Sequence, residues 1–517
     1  MTVNESLKKI YGRISASDKT AFLSAFICGL MVHMPAMLMD VPNHDGLSSM
    51  YFSQNMITSG RWFLAAVCAV SSFYTVPWII GLIGILELAI TAVLLKRIFK
   101  VENGITIFLI SALLVSFPSL ASTFAYVFTL DGYMAGLLLA VLAVYLAGEG
   151  HLIFGGVTLA FSLGTYQAYL PFAMLLSICL VWEKMTSGDK NAIKKCLDYV
   201  YMGMIGAVLY LVLLKVLLAI EGKVLDTYQG IDNLENTGLS HRISALPSLY
   251  KDFVKFTFSK GFLTGDVCAV AGGILAVCAA VSAVYLIVRN SLYKKAWFYF
   301  VLLISAVLVP LSANIVLMIT PDVKYHLIMR YQWVLFLIVS VVLCDKAVEK
   351  TDKDKDKDKY KTCLSWLGSF AAFVIIIAYA VTDNIGYTNL QRKYEKTYAY
   401  ALRLLDRIEQ TEGYYQGVPI AIMGVIGDDE FPPTEVTEPS TSEMIGLTGD
   451  YLIYTSDNYE AFIKYYMGAT LNFVSEEKEA EIYYSDEYIA MESFPKETSV
   501  RMIDGIICVK TEDAVRE

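Results

Sequence analysis

The chain has 517 residues, 56% hydrophobic and only 18% charged, with a mean hydropathy of +0.52 and a net charge of −9. Soluble domains carry about 25% charged residues, so a purely soluble globular protein is excluded, and the lack of a basic stripe argues against a nucleic-acid partner. The apolar residues fall in runs of roughly 18 to 24, the length of a spanning helix, without the alternation of outer-membrane strands.

Lys8, Lys9, Arg13 and Lys19 precede an apolar stretch from Thr20 to Met39. No small-residue cleavage site follows it, so it reads as a retained first membrane helix rather than a secretory signal. Ten more spans are predicted, over 77–95, 104–123, 132–148, 151–168, 170–182, 197–219, 266–288, 296–318, 331–348 and 363–382. The pattern predicts an all-α polytopic membrane protein of about eleven helices, with a transmembrane domain over 1–382 and a small α/β domain over 383–517.

Two connections are long, 40–76 and 220–264. In the first, the apolar half from 62 to 74 reads as a helix lying in the interface. The second is polar and contains Asp226, Tyr228, Gln229, Asp232, Asn233, His241 and Arg242. Thr351 to Lys359 alternates Lys and Asp, the pattern of a solvated linker. The tail starts with a charged helix, 388–411, followed by a strand from Val418 to Ile426 and another from Gly505 to Lys510. It has no phosphate loop, nucleophile elbow or paired-histidine motif, and no chemistry is assigned to it. Lys and Arg concentrate at 8–19, 96–100, 184–195, 289–295 and 346–361. That asymmetry places the N-terminus in the cytoplasm and, with an odd number of helices, residues 383–517 outside. The nine cysteines lie mostly in apolar runs without metal spacing and read as small buried side chains.

Candidates for chemistry gather on the outer side. Asp40 and Asp45 follow the first helix, beside Asn43 and His44. A carboxylate at that depth suits a general base toward an acceptor hydroxyl or a metal ligand; it equally suits a helix cap. Arg61, between Gly60 and Trp62, has the forked donors that grip a phosphate, and the same residue would anchor a helix at the headgroups. Tyr166 and Gln167 end a membrane helix, where they would meet a sugar or simply the interface. Lys324, His326 and Arg330 cluster before the tenth helix and read as a phosphate clamp. Asp131-Gly132-Tyr133 reads as an external turn. Glu87 is an intramembrane carboxyl, a functional candidate or a protonated hydrogen-bond donor, and Lys215 reads as a snorkelling side chain.

Asn43-His44-Asp45-Gly46, Ser59-Gly60-Arg61-Trp62, Thr165-Tyr166-Gln167-Ala168 and a tail with a charged helix and a strand ending in Gly427 resemble, in this order, the type II glucosyl transferase family that modifies O-antigen. The resemblance implies a GT-C-like membrane glycosyltransferase in the bacterial cytoplasmic membrane. Such an enzyme moves a hexose, glucose foremost, from a polyprenyl-phosphate carrier to a cell-surface glycan on the outer face. It also implies a catalytic acid in the first external loop, a position that Asp45 matches best and Asp40 second. His44 stands where a paired acid is often found, so a divalent metal is left open, and no other cofactor is called for. The rival classes are a transporter or flippase of lipid-linked glycans and a polysaccharide polymerase. A transporter should show internal repeats and broken helices at the midplane.

Overall fold

A computed structural model describes residues 14–49, 53–186, 192–226, 239–321, 323–348, 358–424, 441–448 and 456–512, with a few isolated positions between them. Residues 351–357 of the Lys/Asp linker and the polar residues Tyr228, Gln229, Asp232 and Asn233 lie outside the described residues.

The first helix, α1 (Ala16–Leu38), starts with a capping box. The Ser15 hydroxyl accepts from the Asp18 N–H at 3.0 Å and the Asp18 carboxylate accepts from the Ser15 N–H at 3.1 Å. At this end Arg97 donates twice to Asp18, at 3.1 and 2.9 Å, and Lys96 pairs with Glu102 at 2.7 Å. These contacts fix α1 against α4 (Pro77–Phe99), whose Pro77 sits in the first turn where a missing N–H costs nothing. Between them lie two short helices, α2 (His44–Ser49) and α3 (Leu64–Val67). The interfacial helix expected over 62–74 is therefore reduced to α3. One side of the segment packs inward: Leu64, Cys68, Ser71 and Ser72 are buried against the bundle, and the Phe63 N–H donates to the Gly164 carbonyl at 2.7 Å, while Phe73 and Tyr74 stay exposed.

The expected third span is a bent pair, α5 (Gly104–Ser116) and α6 (Pro118–Phe124), which meet at 48°. Pro118 has no N–H for the Leu114 carbonyl, which breaks the ladder. Then come α7 (Leu130–Gly148), α8 (Leu152–Thr165), α9 (Leu170–Thr186) and α10 (Ala192–Glu221). The polar connection carries α11 (Leu239–Ser244) and α12 (Leu246–Thr257), followed by α13 (Asp266–Arg289), α14 (Ala296–Ala313), α15 (Ile315–Ile319) and α16 (Val334–Val348).

Among the described residues nine helices are long and apolar enough to cross a membrane, or ten if the bent pair is one span. The 14-residue α8 rises only about 21 Å against a hydrocarbon core of about 30 Å. The multi-spanning helical architecture is as read from the sequence, and the two segments that would bring the number to eleven are the broken and the short one. The core is built from α1, α4, α5 and α7, with α13, α16 and α17 (Asp358–Glu409) packed around it.

The expected span 363–382 and tail helix 388–411 form one helix, α17, of 52 residues. At about 1.5 Å per residue it is about 78 Å long, over twice the hydrocarbon thickness, so it leaves the bilayer and becomes the spine of the C-terminal domain without a break. That domain has a four-stranded sheet of order β2-β1-β4-β3, with β1 (Pro419–Met423), β2 (Asn472–Phe473), β3 (Val500–Ile503) and β4 (Ile506–Lys510). β1 is parallel to both neighbours, while β3 and β4 form a hairpin. Asp504 and Gly505, at φ 50° and 77°, supply the left-handed pair that a tight hairpin turn needs. The sheet packs against α17 and α18 (Ser456–Tyr466) through Tyr400, Leu404, Ile420, Phe462 and Val509. Leu47 of α2 is buried in the same core, so the segment after α1 and the C-terminal domain share one hydrophobic cluster.

Candidate functional site

Asp40 follows Met39, the extended C-cap of α1, and remains an exposed residue. Asn43, buried, caps α2 by accepting from the Gly46 N–H at 2.7 Å. Gly46 is therefore helical, not a turn, and its small size lets Asn43 and Pro42 close over it. Asp45 lies in the first turn of α2, where a negative charge is favoured. It reaches His44 at 3.5 Å, and its side chain is 48% exposed.

Asp40, not Asp45, lines a narrow cleft with Asn43, Thr75, Phe128 and Tyr466, the last from the C-terminal domain. Crowding there pushes the Asp40 carboxyl above the usual aspartate value, and the Thr75 hydroxyl opposes that by bonding the carboxylate. Ser71 also lines the cleft and donates to Asp131 at 2.5 Å. Asp131 itself is 3% exposed. The expected external turn at 131–133 is instead the buried first turn of α7. Its carboxylate also accepts from the Gly132 N–H at 2.9 Å and lies within electrostatic range of Glu87 on α4. The sequence signal that would have found Asp131 is an acid at the head of a fully apolar helix, which burial rather than turn chemistry explains.

Two of the short motifs dock on each other. Gly60 is left-handed at φ 77°, and a Cβ there would stand 2.5 Å from the Gln167 amide nitrogen. Gln167 donates to the Ser59 carbonyl at 2.9 Å and to Tyr210 at 3.1 Å, and Tyr210 donates to the Gly60 carbonyl at 3.1 Å. Trp62 covers Gly164 so closely that no Cβ fits between them. Arg61 donates to the Tyr133 hydroxyl at 3.1 Å, and Tyr133 stacks on Tyr166 with centroids 4.3 Å apart. The guanidinium lies 5.1 Å from the Tyr166 ring. Arg61, Tyr166 and Gln167 are thus brought together around Tyr133 and the 59–60 turn, which Gln167 laces.

The third group stands apart. Arg330 is buried, donates to both Asp252 oxygens at 2.7 and 3.1 Å and to the Tyr325 carbonyl at 3.1 Å, and is packed among Phe256, Tyr325 and Trp333. This guanidinium ties α12 to the start of α16. Lys324 is exposed and His326 half-buried beside it. The turn Leu327–Met329 touches α6, whose far end leads into the Val127–Phe128 wall of the Asp40 cleft. Among the described residues no three His, Cys, Asp or Glu side chains group as metal ligands.

A many-helix membrane bundle with acids and an arginine gathered at one end of its helices defines a polytopic membrane protein with a polar site at the mouth of the bundle. The model of the glucosyl transferase GtrII family matches residues 34–335, more than half of the chain, and the protein belongs to that family. The match covers Asp40, Asp45, Arg61, Tyr166, Gln167, Lys324, His326 and Arg330, and ends before α17 and the C-terminal domain. No curated protein and no solved structure matches the chain. The family makes it a glycosyltransferase, which takes a sugar from a donor to a glycan acceptor.

Proposed function

We propose that the protein is an inverting, GT-C-type transferase that moves a hexose, glucose foremost, from a polyprenyl-phosphate carrier to a cell-surface glycan. It works on the outer face of the bacterial cytoplasmic membrane, with the N-terminus inside and the C-terminal domain outside. The observation that carries the reading is a carboxylate just past the C-terminal end of α1, inside the matched region, lining a cleft with Ser71, whose hydroxyl donates to the buried Asp131. A site at the mouth of a helix bundle suits a donor whose tail stays in the membrane while its phosphate and sugar stand at headgroup depth.

Asp40 is the base in this reading. It takes the proton of the acceptor hydroxyl, whose oxygen attacks the anomeric carbon as the bond from that carbon to the carrier phosphate oxygen breaks. The phosphate leaves as an anion, steadied by Arg61 and Lys324. Arg330, engaged by Asp252, acts by holding the 324–330 segment in place. Asp45 is favoured by the resemblance and Asp40 by the cleft, so the decisive test compares them. With synthetic polyprenyl-phosphate glucose and oligosaccharides released from the cells' own surface glycan, Asp40→Asn should lower turnover by about 10²–10⁴-fold. Asp45→Asn should change it little. The reverse pattern would make Asp45 the base. Full activity in both would remove a first-segment acid from the mechanism and favour a lipid-linked-glycan transporter, for which the bent pair α5–α6 is the supporting feature.

A further inference from the structure

The C-terminal domain has no motif of its own, yet it reaches the Asp40 cleft. Tyr466, the last residue of α18, lines the cleft beside Asp40 and Thr75. One residue earlier, Tyr465 meets Tyr51 of the first external segment across the seam, with ring centroids 4.8 Å apart at 48°. Both rings remain open to solvent, Tyr51 at 43% and Tyr465 at 45%. Large aromatic side chains left half bare at the joint between two packed units forfeit apolar burial unless something else covers them. Tyr51 also sits at φ 66°, a left-handed conformation that an aromatic residue rarely adopts. Strain of this kind is kept where it serves a site. The seam is not loose: Leu47 is buried in the domain's core, and the Asn458 amide donates to the His44 carbonyl at 3.4 Å.

Resting on the glycosyltransferase reading above, we propose that this seam is the acceptor site: the glycan lies along Tyr51 and Tyr465, with its reactive hydroxyl delivered past Tyr466 to Asp40. Sugar rings present apolar C–H faces that pack on aromatic faces, while their hydroxyls need the few polar groups that Thr75 and Asn43 supply. The occupant is a saccharide rather than a protein segment because the patch is short, aromatic and continuous with the cleft that holds the acid. The cleft itself is about 20 Å³, room for about one water. A hexose therefore enters only as Tyr466 and the facing wall separate, which gives the domain a direct part in turnover.

The test uses the full chain in lipid nanodiscs and the oligosaccharides released by mild acid from the surface glycan of the cells that make it. Saturation-transfer NMR reads acceptor binding without donor, and a transfer assay with synthetic polyprenyl-phosphate glucose reads KM for each substrate. Tyr465→Ala and Tyr51→Ala should each raise the acceptor Kd and KM tenfold or more, with donor KM and saturated kcat within twofold of wild type. Tyr465→Trp should restore binding to within threefold, while Tyr465→Leu, which keeps apolar bulk at the seam but offers no aromatic face, should bind as weakly as the alanine variant; binding by the leucine variant equal to wild type overturns the stacking role. Unchanged acceptor KM in both alanine variants, or loss confined to donor KM, overturns the seam while leaving the transferase standing. Wild-type protein that binds the oligosaccharides but transfers nothing keeps the seam and removes the transferase reading. Wild-type protein that binds none of them overturns the seam.

Discussion

Asp40 shows what a single position gains from its surroundings. Partial desolvation in the cleft raises its carboxyl above the ordinary value for aspartate although the residue stays open to solvent, so the acid limb of kcat/KM should lie above that of a free aspartate. Thr75→Val removes a bond that favours the charged form and should move the limb further up. The same shift has a stability consequence with a definite sign. A group whose folded-state pKa is raised contributes stability that is fully present below its unfolded pKa and lost as pH rises through the folded one. At neutral pH the ionised Asp40 is therefore a burden on the fold. Asp40→Asn should leave the melting temperature at pH 7 equal or higher, with the difference closing at low pH, so that lost turnover is separated from misfolding. A lower melting temperature at pH 7 would contradict this account. Arg330 belongs to the same scale but plays another part. Arg330→Ala strands Asp252, which is only 29% exposed, and should cost about 3 kcal/mol in unfolding experiments, the low end for a buried pair. Arg330→Lys should recover only part, because one ammonium cannot replace the fork that reaches both carboxylate oxygens. Full recovery by lysine would show that charge alone is needed.

At the scale of elements, the break between α5 and α6 is the feature most dependent on its neighbours. Phe117 is extended at ψ 130° and Pro118 cannot donate, so the carbonyls of Leu114 and Val115 lose their helical partners. Each is recapped by a buried side chain from another part of the chain. The Tyr331 hydroxyl donates to the Leu114 carbonyl. His33 of α1 reaches the Val115 carbonyl at 2.7 Å through Nε2. A carbonyl only accepts, so Nε2 carries the proton, and the Tyr387 hydroxyl of α17 donates to Nδ1 of the neutral ring at 2.6 Å. His33 also stacks on Phe124 with centroids 4.0 Å apart. One imidazole thus joins α1, the broken helix and α17, the three elements that lead to Asp40, to the Phe128 wall and to the C-terminal domain. His33→Ala should cost about 1–3 kcal/mol for each orphaned group, and Tyr387→Phe about half of that total, read as thermal stability in detergent. A His33→Ala protein as stable as wild type would mean that the recapping is incidental.

For the molecule as a whole, the proposed orientation depends on the broken α5–α6 pair and the short α8 each counting as one crossing. The Lys and Arg asymmetry then puts the exposed thiols Cys196 and Cys363 inside the cell and the domain beyond α17 outside. An impermeant maleimide added to intact cells should leave Cys196 and Cys363 unlabelled and should label a Glu412→Cys variant on the domain. Labelling of the native pair, with none at position 412, would invert the assignment.

The sequence by itself determined the membrane class and most of the spans, because hydrocarbon demands long apolar runs and each run is a local property. Its short motifs around Arg61 and Gln167 pointed to the family, and it marked both central strands of the C-terminal sheet. Only tertiary structure decided what those residues touch. Asp131 looked like turn chemistry until α7 buried it beneath Ser71, and Arg330 looked like a free cation until Asp252 met its fork. Asp40 and Asp45 are five positions apart and chemically alike, and only the packing of Thr75, Phe128 and, more than four hundred residues along the chain, Tyr466 sets one in a cleft and leaves the other at a helix end. The physical reason is common to all three: desolvation and partner geometry belong to groups brought together by packing, and neither is written in the residue or its spacing.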